Sequence, residues 1–262
     1  MRDFGRLSAV EKQVFPGAQV SYPTPPILEP ADEVWLTTRD ELGDWISGLF
    51  ARGDPANPLC VLHFYGRDET LQDCEYLFTG FRALGPAVLM FDYRGYGASR
   101  GRPREDSFYR DADLAFDWLR DQYPRLRIVV SGRFFGSAVA THLAQQHPVA
   151  GVMLFSPPTS MLEIVRGFFP ADDLFIEEAL PFRFDNLSRI SRIAAPTLLV
   201  HGERDSLVPT RMVRRLESLV RAPLTRYEVP DADHRDLFSK GGTLLWKQIG
   251  DFLASLVKRS EE

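Results

Sequence analysis

Cysteine is scarce in this 262-residue chain: only Cys60 and Cys74 are present, with no CxxC pair and no histidine at ligand spacing. That argues against a disulfide framework and against a zinc site, and both residues read as buried thiols. No run of about 18 apolar residues occurs, so no segment is expected to span a bilayer. The opening stretch MRDFGRLSAVEKQVFPG lacks the apolar core of a signal peptide, and a cytoplasmic location is expected. An excess of basic charge is also missing, since the formal net charge is −5. This removes the electrostatic case for a nucleic-acid partner. The most basic run, RMVRRLESLVR from Arg211 to Arg221, alternates with apolar residues at helical spacing and predicts a helix with a solvated cationic face. Neither an internal repeat nor a low-complexity tract is visible.

What the chain does hold is a core: 44% of its residues are hydrophobic. Its length suits one α/β domain over residues 1–262. Residues 1–30 end in YPTPPILEP, a proline-rich arm whose prolines disfavour helix and central strand alike, and which is expected to pack as an extended segment. Strands near Glu33 to Thr38 and Gly43 to Ala51 read as a hairpin around TRDELGD. From there the pattern changes. PLCVLHFYG and PAVLMFDYRG are short apolar runs rich in β-formers, which strands buried on both faces require. LRIVVSG, VAGVMLFSPP, PTLLVHGERD and LTRYEVPDADH continue the series, with helical segments at about 105–122, 135–147, 209–221 and 243–258. Strict alternation predicts about eight strands, mostly parallel with the second antiparallel, and helices on both faces. In such sheets ligands bind at the carboxyl ends of the strands.

One span breaks the rhythm. Thr159 to Asn186 is rich in apolar residues, with Met161, Leu162, Ile164, Val165, Phe168, Phe182 and Phe184 among them. It reads either as a helical cap (about 159–186) over the carboxyl edge or as an ordinary core-packing insertion, because periodicity does not say which way an apolar face points.

Four stretches now fall in order: DYRGYGASRGRPRED (Asp92 to Asp106), SGRFFGSAVATHLA (Ser131 to Ala144), HGERDSLVP (His201 to Pro209) and VPDADHRDLF (Val229 to Phe238). Together they resemble the α/β-hydrolase superfamily, specifically its Bem46-like serine hydrolase and peptidase branch, over nearly the whole chain. The resemblance implies an α/β-hydrolase fold with Asp205 as triad acid and His234 as triad base. The residues agree with it, since each follows a predicted strand, at the edge where a buried carboxylate can fix a histidine's tautomer. An N-cap aspartate and a surface histidine are the plain alternatives. His63, His142, His147 and His201 read as structural. No metal or cofactor is implied.

The departure is at the apex of the elbow. Where the family's G-x-S-x-G turn presents a serine, this chain has Phe134. A phenyl ring has neither a proton for His234 to remove nor a lone pair to attack a carbonyl. Ser131 lies in the preceding strand and Ser137 in the first turn of the following helix, and Ser156 is the best-placed stand-in. A second departure is the loop His63-Phe64-Tyr65-Gly66, where the resemblance implies a glycine-containing oxyanion loop. Phe64 and Tyr65, with Phe135 after the apex, occupy the oxyanion-hole positions. The Phe134 ring is expected to turn toward Phe64, Tyr65 and the aromatics of 159–186 and to plug the site.

Three functions are compatible with this sequence. The first is a non-catalytic binder of a small apolar ligand or protein partner, with a degenerate triad. The second is a hydrolase of esters, thioesters or amides acting through another nucleophile or through activated water. The third is a scaffold or interaction protein.

Overall fold

The computed structural model describes residues 12, 14–26, 28, 30–40, 43–168 and 182–258. The chain forms two compact units, Met1–Arg127 and Ile128–Glu262.

In the first unit, β1 (Asp32–Thr37) and β2 (Trp45–Ala51) form the predicted antiparallel hairpin, with Val34 opposite Gly48. β2 also runs antiparallel to β4 (Ala87–Asp92), and β4 runs parallel to β3 (Leu59–Phe64). Every residue of β3 and β4 is buried, which is why both read as unbroken apolar runs instead of an alternation. Helix α1 (Glu75–Ala83) and helix α2 (Glu105–Gln122) complete the unit. The proline-rich arm is tied down where it is described. Phe15 is fully buried edge-on to Phe108, and Tyr22 donates to the carboxylate of Asp92 at 2.6 Å. Most of residues 1–13 and the turn residues 41–42 lie outside the described residues.

The second unit carries β5 (Arg127–Arg133), β6 (Gly151–Phe155), β7 (Thr197–Gly202) and β8 (Leu224–Val229), adjacent in that order and all parallel. Between them run α3 (Phe135–Gln146), α4 (Met161–Phe168), α5 (Leu187–Ile190) and α6 (Thr210–Glu217), and α7 (Leu237–Lys258) follows β8. With four strands in each unit, the sheet is eight-stranded and mostly parallel, as the alternation predicted.

The span Leu237–Lys258 is two helical stretches that meet at Gly242, whose φ 47°, ψ −141° is not helical, and the second stretch follows that glycine where the helix at about 243–258 is expected. One boundary differs from expectation. Helix α6 stops at Glu217 instead of running to residue 221. Of the proposed cap, α4 is described and buries Met161 and Ile164, while residues 169–181 lie outside the described residues.

Candidate functional site

β5 runs into a single non-helical residue, Phe134, and then directly into α3. So sharp a reversal needs close backbone approach, and a Cβ on Gly132 would lie 2.1 Å from the carbonyl oxygen of Gly136. Only glycine fits there. Phe134 itself sits at φ 50°, ψ −111°, the left-handed side of backbone space that non-glycine residues rarely occupy. Its N–H donates to the Phe155 carbonyl on β6 at 3.0 Å, and its own carbonyl accepts from the N–H and the hydroxyl of Ser137. Asn186 secures the arrangement. Its side-chain amide donates to the Ser137 hydroxyl at 2.8 Å and to the Pro158 carbonyl at 2.9 Å, while its oxygen accepts from Thr141 at 2.8 Å. Ser137 is thereby fully buried and its proton committed, so it offers no nucleophile.

The ring of Phe134 is 2% exposed. It stacks on Phe135 with centroids 4.9 Å apart and meets the imidazole of His234 edge to face at 4.8 Å. Phe135 in turn stacks on Phe184 at 4.3 Å, so the aromatic from the 159–186 span lies one ring further on. The expected burial of Phe134 is observed, and the described rings it touches in this unit are Phe135 and His234.

His234 and Asp205 lie side by side, with Nδ1 2.9 Å from Oδ2. Each loop is held by its own backbone chemistry. The second oxygen of Asp205 accepts the N–H groups of Leu207 (3.0 Å) and Val208 (2.7 Å). Burial opposes the charge on Asp205, yet the His234 hydrogen bond, the His234 charge and the Val208 N–H together hold its pKa below the usual carboxylate value. The Ser156 hydroxyl also lowers it from close by, although that hydroxyl makes no hydrogen bond within 3.5 Å and is fully buried. Ser156 thus lies near the Asp205 carboxylate.

Sequence reasoning missed two residues that organise this site. Asp233 accepts hydrogen bonds through one oxygen from the Ser206 N–H, the Ser206 hydroxyl and the His234 N–H at 2.7–2.9 Å, clamping the acid and histidine loops together. Arg133, one residue before the apex, donates from Nη2 to the His234 carbonyl at 3.0 Å. His201, read from sequence as structural, is buried near the same pair. Its Nδ1 lies 3.8 Å from the same Asp205 oxygen, too far for a hydrogen bond, and the ring is 1% exposed. The spacing in HGERD was the available signal, but nothing in a sequence says that a strand-end imidazole turns toward a carboxylate four residues on.

Burial pushes the pKa of His201 below its usual value, outweighing attraction from Asp205 and Glu228, while His234 adds to the depression. The unfolded chain then takes up a proton as pH falls below about 6.5 while the folded chain does not, so stability is present above that pH and is lost on acidification. Asp205, with a depressed pKa, adds a further loss as pH falls below about 4. Urea midpoints measured from pH 7.5 to 5 should therefore fall more steeply for the wild type than for His201→Gln. Parallel curves would contradict this.

Phe64 and Tyr65 belong to the first unit and are described there. Phe64 ends β3 and packs edge-on to Phe91 at 5.8 Å. Tyr65 is fully buried; its hydroxyl donates to Asp92 at 2.9 Å and its carbonyl accepts from the Tyr93 hydroxyl at 3.1 Å. Burial raises the Tyr65 pKa well above the usual phenol value, so the hydroxyl stays protonated as a donor.

All four non-glycine residues at positive φ among the described residues (Phe134, Ser156, Phe184 and Asp231) flank this constellation or its loops. Such strain concentrates at functional sites. Cys60 and Cys74 are both buried. Among the described residues no cluster of three or more His, Cys, Asp or Glu side chains suits a metal ion, and no helix is long and apolar enough to cross a membrane.

Comparison with known proteins gives this geometry a family. A family model described as serine aminopeptidase, S33 (Hydrolase_4), matches residues 55–172. An uncharacterised protein of Mycobacterium tuberculosis is 32% identical over 91% of this chain and 85% of its own length. The α/β-hydrolase domain-containing protein WAV2 of Arabidopsis thaliana is 30% identical over 95% of this chain and 88% of its own. Among solved structures, an α/β-hydrolase from Vibrio vulnificus superposes with a TM-score of 0.71 at 19% identity, covering 97% of this chain and 96% of its own. With its elbow, its acid and histidine loops and its eight mostly parallel strands, the chain belongs to the α/β-hydrolase family.

Proposed function

We propose that the protein is a member of the Bem46-like branch whose triad has lost its nucleophile, and that it binds a small apolar ligand or a protein partner without catalysing hydrolysis. In this reading Phe134 occupies the nucleophile position, Asp205 and His234 are the remnant acid and base, and Phe135 stands where the residue after the nucleophile would offer its N–H to an oxyanion. The observation that carries it is the Phe134 ring. It is buried, in the strained elbow conformation, with its edge-to-face partner being the imidazole that would activate a serine. Loss of a triad nucleophile costs roughly a factor of 10⁶ in turnover, about 8 kcal/mol of barrier. An apolar ring there supplies contact area in place of chemistry.

A second reading is favoured by the 2.9 Å contact between His234 and Asp205. A histidine so oriented is able to activate water, making the protein a hydrolase without a covalent intermediate.

One experiment separates the two. Turnover of p-nitrophenyl butyrate and binding of the neutral apolar dye Nile red are measured on the wild type, Asp205→Asn and Phe134→Asn. The binding reading expects background turnover that Asp205→Asn leaves unchanged, with saturable dye binding weakened by Phe134→Asn. Turnover that falls with Asp205→Asn would support the water-activating hydrolase instead. Absence of both turnover and dye binding would leave the scaffold reading.

A further inference from the structure

The first unit contains a cavity of about 430 Å³ that shares no residue with the constellation around Phe134. It lies where β2 ends, β4 begins and α2 terminates, and its lining includes Phe50, Arg52, Asp54, Asn57, Tyr123 and Arg125. Cavities of this size hold small organic molecules.

The wall is aromatic and rigid. Phe50 and Tyr123 stack at 4.4 Å with an interplanar angle of 27°, and Trp118 braces both edge-on at 5.6 and 5.7 Å. The loop bearing the polar groups is equally fixed. The Asp54 N–H donates to the Gly85 carbonyl at 2.8 Å, the Asn57 N–H to the Asp54 carbonyl at 2.8 Å, and the Asn57 side-chain oxygen accepts the Leu59 N–H at 3.0 Å. A Cβ at Gly53 would lie 2.3 Å from the Ala87 nitrogen, so the loop is seated directly against the start of β4.

The rim carries two guanidinium groups and one carboxylate. Arg52 lies over the Tyr123 ring, its Cζ 5.4 Å from the centroid. Neither Arg52 nor Arg125 forms an ion pair among the described residues. In a chain of net charge −5, a pair of uncompensated cations beside a stacked aromatic wall is a local reversal of charge. Guanidinium groups bind carboxylates through paired hydrogen bonds and also stack on aromatic faces.

From these features we infer that the cavity is a binding site for a small planar aromatic carboxylate. Its ring lies against the Phe50–Tyr123 wall and its carboxylate meets Arg52 and Arg125, while Asp54 disfavours more highly charged anions. This site is independent of the proposed function.

The test is calorimetric titration with 1-naphthoate and with its neutral analogue 1-naphthalenemethanol, on the wild type, Arg125→Ala and Arg52→Ala. Both arginines are exposed, so either substitution is expected to leave folding intact. Saturable naphthoate binding is expected, about tenfold weaker for the neutral analogue and for each variant, the factor that a charge-assisted hydrogen bond supplies. Equal binding of the neutral analogue, insensitivity to both arginine substitutions, or no binding up to about 1 mM would each overturn the proposal.

Discussion

Phe134→Ala is expected to lower the unfolding free energy by about 3 to 5 kcal/mol, the range for truncating a buried phenylalanine. The ring is 2% exposed and lies between Phe135 and His234, so its removal opens a cavity that its neighbours are poorly able to fill. The stack that would have to collapse into the gap is anchored at Phe184, and the backbone beneath it is pinned by the hydrogen bonds of Ser137 and Asn186. Glycine provides an internal control. At φ 50° any side chain carries strain of about 1 to 2 kcal/mol that glycine does not. Phe134→Gly should therefore be about 1 kcal/mol less destabilised than Phe134→Ala, the reverse of the usual order. Urea denaturation followed by circular dichroism measures both. An unchanged midpoint in Phe134→Ala would mean that the ring contributes nothing to the fold.

Much of this architecture was legible because its physics is local. Strands buried on both faces must be unbroken apolar runs, and PLCVLHFYG and PAVLMFDYRG became β3 and β4. Two loops that each follow a strand deliver side chains to one edge, and so Asp205 and His234 meet at 2.9 Å. What was not legible depends on side-chain direction. Arg133 reaches 101 residues along the chain to the His234 carbonyl, and Asn186 reaches back 49 residues to Ser137. Neither spacing has a pattern to recognise.

The largest expected effect concerns covalent chemistry. A serine hydrolase reacts with a fluorophosphonate because its histidine takes the serine proton as the oxygen attacks. Here the Phe134 ring packs against the His234 imidazole, the Ser137 hydroxyl donates a hydrogen bond to the Phe134 carbonyl, and Ser156 is fully buried. Restoring the hydroxyl alone, by Phe134→Ser, is expected to recover little. Phe64 ends β3 and Tyr65 follows it where a glycine-containing oxyanion loop is implied, and Tyr65 is committed to Asp92 and Tyr93 within its own unit. One missing oxyanion donor costs about 10²- to 10³-fold in turnover, so Phe134→Ser should remain at least about 100-fold below a working serine hydrolase on p-nitrophenyl butyrate.

The most direct measurement is intact-mass spectrometry of the purified wild-type protein after exposure to a fluorophosphonate, with Phe134→Ser treated in parallel. The wild type is expected to gain no adduct, and the variant to gain one slowly, at residue 134. A stoichiometric adduct on any serine of the wild-type protein would contradict the claim that the nucleophile has been lost.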